Sequence, residues 1–100
     1  MSLPVILRRE AHVEFDDAAD WYEQRRLGRG VAFTVAVKKV LIGISSNPDF
    51  YPEVYNDVRE AVVSGYPYAV YYRVTAGQVW VLAIFHAARD PSVWQGRSSP

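Results

Sequence analysis

The hydrophobic period changes once along this chain, and that change restricts the folds open to it. Between residues 11 and 46 apolar side chains recur at spacings near three to five. After residue 54 the spacing drops towards two. Residues 11–27 carry one stripe (Phe15, Ala18, Ala19, Tyr22, Leu27), with Asp16, Asp17, Asp20, Glu23 and Arg26 filling the other positions. Acid early and Arg25-Arg26 late complement a helix dipole, and Gly28 is a natural stop. Residues 31–46 give a second helix on Phe33, Val37, Val40, Leu41 and Ile44, with Lys38-Lys39 outside the stripe. Its valines are poor helix formers, so the period outweighs propensity. The short LGRG connection makes the pair an antiparallel helical hairpin.

The flanks complete a sheet. PVILRR, residues 4–9, predicts a first strand, with proline at its start. NPDFYPE, residues 47–53, is a loop. Three strands follow: a loosely alternating one over Val54–Val63, then Tyr68–Val74, then Val79–Phe85. The last is so apolar that it belongs at the centre, covered on both faces. Gly65 with Pro67, and Ala76-Gly77, mark the turns of an antiparallel meander. The expected class is α+β, with two helices packed on one sheet. One hundred residues make one domain, 1–100, and half of them are apolar, enough for a core.

Composition removes several functional classes. There are no cysteines, which excludes a disulfide scaffold, a thiolate zinc site and a cysteine nucleophile. Lys+Arg and Asp+Glu both number 11, which argues against a domain held on nucleic acid mainly by phosphate neutralisation. The arginines of the opening MSLPVILRRE follow its apolar run instead of preceding it, unlike a secretory leader. No stretch approaches the length of a membrane span, so a cytoplasmic location without a membrane partner is expected.

Residues with chemistry are few. His86 ends the most apolar strand; His12 is the only other histidine. No HxH or HExxH spacing or carboxylate cluster accompanies it, so no metal and no cofactor are expected. His86 suits general acid–base work and equally suits a hydrogen bond at a strand end. Arg59 and Arg89 suit bidentate capture of a phosphate and equally suit ion pairs with Glu60 or Asp90. Tyr66, Tyr68, Tyr71 and Tyr72 suit base stacking, but on strands such tyrosines more often pack across the sheet. Trp21-Tyr22 on the first helix is more often core and rim than a ligand box.

Four segments together resemble the ParE/RelE superfamily of toxins from bacterial type II toxin–antitoxin modules. They are DDAADWYEQRRLGRGVAF, ISSNPDFYPEV, VREAVVSGYPYAVYYRV and VWVLAIFHAARDPSVWQGR, in the family's order and across nearly the whole chain. The resemblance implies the fold just derived, with the first strand beside the meander. It also implies a cognate antitoxin whose C-terminal segment wraps the toxin; Trp21, Phe33, Tyr51 and Tyr55 are the expected ring of that contact.

The superfamily divides by target. Relatives of the RelE type cut mRNA on the ribosome with basic residues and a late tyrosine or histidine; relatives of the ParE type poison DNA gyrase. Here Arg59 and Arg89 match basic positions, but Ala61 and Tyr68 stand where further basic residues are common, and Trp94 falls near the catalytic tyrosine. The Y-P-Y and H-x-x-R-D-P runs are closer to the ParE type. The resemblance therefore implies a ParE-like plasmid-stabilisation toxin that inhibits gyrase, meeting its target through Arg89, Asp90 and Trp94. The alternatives are a RelE-like ribonuclease with Arg59, His86 and Arg89 as its catalytic set, or a non-toxic member that only binds antitoxin. The tail after Trp94 is expected to fray.

Overall fold

The computed structural model describes residues 2–98. β1 (Val5–Leu7) leads into α1 (Arg9–Arg25) and α2 (Arg29–Ser46), followed by β2 (Glu53–Tyr55), β3 (Val58–Val62), β4 (Tyr68–Thr75) and β5 (Gln78–His86). A single turn of helix, α3 (Ser92–Gln95), and a 3-10 turn (Gly96–Ser98) close the described chain. The five strands form one sheet in the order β1-β5-β4-β3-β2. β1 runs parallel to β5, and the other pairs are antiparallel.

The α+β class, the helical hairpin and the covering of the last strand on both faces are as the sequence predicts. That strand is not central, however: β5 lies second in the sheet beside the short β1, and β4 is the middle strand. Two further details differ. α1 begins at Arg9, inside the expected first strand, because β1 is only three residues long. The run Val54–Val63 is two strands and not one, so the meander has one more strand than expected. Asn56 takes a left-handed conformation (φ 52°) and reverses the chain between Tyr55 and Val58. Asparagine tolerates that region better than other residues with a side chain, so Asn56-Asp57 was the legible signal.

The hairpin between the helices is closed by one carboxylate. α1 already ends at Arg25, with Arg26 extended, and Gly28, with φ at 89°, is the N-cap of α2 and not the stop of α1. Glu23 accepts hydrogen bonds from the N–H groups of Gly28 and Gly30, satisfying orphan donors at the start of α2. Gly30 sits against α1 so closely that a Cβ there would meet the Ala19 carbonyl at 2.7 Å.

A bulge explains why β5 does not alternate. Tyr71 pairs with Ala83 and Tyr72 with Val81, leaving Leu82 as an extra residue. Val79, Val81 and Ile84 therefore face the helices, whereas Leu82, Ala83 and Phe85 face the opposite side. The helix side is filled by Phe33, Val37, Ile44, Val70 and Tyr72, all fully buried or nearly so. Tyr72 donates its hydroxyl to the Pro48 carbonyl, and burial pushes its phenol up to about 12, so it remains a donor. The opposite side is a smaller cluster that Trp94 closes.

The C-terminal segment does not fray through Ser98. Trp94 stacks on Tyr71 with centroids 4.1 Å apart and is 3% exposed. Arg73 donates to the Ser98 carbonyl and Arg8 to the Arg97 carbonyl. The apolar face under α3 and these long-range bonds hold a segment whose own sequence is a weak helix former.

Candidate functional site

β1 pairs with β5 only as far as Val81. Beyond it the β5 edge has no strand neighbour among the described residues, and side chains take over the pairing. Glu14 of α1 reaches that edge and accepts four hydrogen bonds, from the Ile84 N–H, from Arg89, and twice from Arg97. Arg97 also donates to the carbonyl of the bulged Leu82. Glu14 and Arg97 are both largely buried, so the pair acts in a low-dielectric setting. Sequence reasoning missed Glu14, because its partners lie about seventy to eighty positions away.

Between α1 and this open edge runs a groove of about 760 Å³. Trp21, Tyr22 and Ile84 supply apolar surface; Arg25, Arg29 and Arg89 supply positive charge, with Asp17 and Glu14 opposing them. Trp21 is 49% exposed, with the Arg25 guanidinium 4.3 Å above its ring. Tyr22 stacks on Phe33 from beneath, which fixes the groove floor. His86 lies at the groove's end, edge-on to Tyr68.

The candidate catalytic residues are not one constellation. His86 Nδ1 accepts the Ala88 N–H at 2.9 Å, which leaves Nε2 as the protonated nitrogen, a donor and not a base. Arg89 is bound to Glu14 and stands 4.2 Å over the Phe85 ring. Arg59 pairs with Tyr72 in the sheet, whereas His86 pairs with Tyr68. Four positions along β4 separate them by about 13 Å of strand. Arg59 donates to the carbonyls of Asp49 and Tyr51 and thereby holds the loop before β2.

The expected contact residues also divide. Phe33 is fully buried and has no surface to give a partner. Tyr51 packs its ring against Tyr72 and its hydroxyl where a Cβ on Gly43 would be. Tyr55 is on the far side of the sheet, edge-on to Trp94. Of that set only Trp21 faces the groove. Trp94, expected at a target surface, is buried instead, with its indole N–H unpartnered among the described residues. Asp90 accepts the Ser92 N–H, and that backbone bond holds its carboxyl below the usual range; it caps the turn into α3.

A sequence model of the ParE toxin of the type II toxin–antitoxin system parDE matches residues 5–91. The chain belongs to the ParE toxin family. Among solved structures it is similar to one described as the chromosomal ParDE TA system from P. aeruginosa. The TM-score is 0.62 at 18% identity, over 85% of this chain and 96% of that one. At that identity the likeness is one of fold. No curated protein sequence matches. The match ends at Asp90-Pro91, so α3 and the Arg97 tether lie beyond what the ParE family model describes.

Proposed function

We propose that this ParE-family chain is a toxin that acts by protein contact, inhibiting DNA gyrase, and that a cognate antitoxin neutralises it. The observation that carries the reading is that Arg59 stands apart from His86 and Arg89, which share the groove, and that all three are already engaged. Arg59 is engaged with carbonyls of the loop before β2, Arg89 with Glu14, and His86 presents a donor. Phosphodiester cleavage needs a base and charge stabilisers converging on one phosphate, so this arrangement favours contact over cleavage. Pulse labelling after induction without antitoxin tests it. DNA synthesis is expected to fail first while protein synthesis continues; early loss of translation with ribosome-dependent RNA fragments would overturn it.

The groove beside α1 is where the antitoxin segment is proposed to seat. An exposed indole beside three arginines suits an apolar segment that carries carboxylates. Trp21→Ala is expected to weaken binding of the cognate antitoxin by at least tenfold, about the loss of a hot-spot residue. Because Trp21 is half-exposed, the unfolding midpoint should stay put. Calorimetric titration with purified antitoxin measures it, and unchanged affinity would place the contact elsewhere.

A further inference from the structure

α2 is apolar on its solvent side as well as on its core side. Its inward stripe, Phe33, Val37 and Ile44, is fully buried. Its outward stripe is Val31, Val35 and Ile42, at helical spacings of four and seven, with Leu27 one turn ahead in the hairpin. Leu27 is 91% exposed, Val31 67% and Ile42 66%. An apolar stripe on the outer face of a helix, beyond the one its core needs, has to be covered by something to be removed from water. A ridge of this kind on an otherwise solvated hairpin marks a contact surface.

Charge and shape say what covers it. Lys38 and Lys39 project on either side of the stripe, and no acidic residue occurs anywhere in α2. The stripe ends in a concave groove of about 400 Å³ between α2 and β1, lined by Leu3, Val5, Lys38, Leu41, Ile42 and Ser45. A second copy of this chain fits poorly, since two such faces would oppose lysine to lysine without an acid to answer. A lipid surface fits poorly too: two lysines and a narrow stripe are a weak membrane anchor. We propose that the outer face of α2 docks a helix from another protein, one with an apolar stripe flanked by acidic residues on both sides. One of its larger side chains fills the groove beside β1. This surface is separate from the groove that Trp21 lines, and the proposal stands whether or not gyrase is the target.

The test uses the full chain and a synthetic helical peptide of about three heptads, with a leucine stripe and flanking glutamates. A twin peptide carries lysine in place of each glutamate. Backbone amide shift mapping is expected to show saturable binding of the acidic peptide along α2, with the lysine twin at least about tenfold weaker. Val35→Glu with Ile42→Glu is expected to abolish binding without moving the unfolding midpoint, since both positions are exposed. Equal affinity for the two peptides, or shifts confined to the α1 groove, would overturn the proposal. So would sedimentation showing a self-dimer that the double variant breaks, or flotation with anionic vesicles when the peptide does not bind.

Discussion

Phe33→Ala is expected to remove about 4 kcal/mol of stability, the middle of the range for truncating a buried aromatic. Phe33 is fully buried where the helical hairpin meets the sheet. Its ring stacks on Tyr22 and meets Tyr66 and Tyr68 edge-on, all at 5.1 Å, with Phe15 at 6.1 Å. Alanine leaves a void ringed by aromatic groups from α1, from β4 and from the turn before it, none of which can collapse into it without losing its own contacts. A small domain has only about 5–15 kcal/mol in total, so the variant should stand near the edge of folding. Thermal unfolding followed by circular dichroism should show Tm lowered by on the order of 20 °C. A drop of a few degrees would mean that the hairpin repacks, and that the aromatic cluster is not the centre of the core.

Glu14→Ala is expected to cost about 3 kcal/mol, the low end for removing one partner of a buried ion pair. The loss has two parts. Arg97, 12% exposed on its side chain, is left charged without its carboxylate. The Ile84 N–H is left without an acceptor at the open edge of β5. Arg89 is half in solvent, so its ion pair with Glu14 adds little. Urea unfolding of Glu14→Ala, Arg97→Ala and the double variant separates these contributions. The double variant should lose clearly less than the sum of the singles, with a coupling of about 1–3 kcal/mol. Amide exchange should also quicken in the segment from Ser92 to Ser98, which Arg97 tethers. Strict additivity, or a Glu14→Ala loss within about 0.5 kcal/mol, would show that the pair is only a surface contact.

Both residues show how structural and functional signals mix in this chain. The resemblance implies that Arg89, Asp90 and Trp94 of the C-terminal run FHAARDPSVWQGR meet the target. Much of that run is architectural. Trp94 closes the second core cluster, Asp90 caps the turn before it, and Arg97 mends the sheet edge. Arg89 alone of these both holds Glu14 and lines the groove.

The sequence by itself determined the α+β class, the helical hairpin with Gly28 in its connection, and the turns at Gly65 and Ala76-Gly77. These rest on local periodicity and on backbone conformations that few residues adopt, so neighbouring residues suffice to specify them. The family was legible too, because four motifs recur in fixed order. Only the tertiary structure decided where side chains meet. The Leu82 bulge exchanges the faces of β5, which no alternation pattern in so apolar a run could show. Glu14 finds Arg89 and Arg97 across the whole length of the chain. Arg59, near the start of β3, pairs with the middle of β4 at Tyr72, whereas His86 pairs with its first residue, Tyr68. Burial also separates Phe33 from Trp21, although both read as aromatic positions on helix faces. The composition of a stripe says that it is apolar; what packs against it depends on contacts remote in sequence.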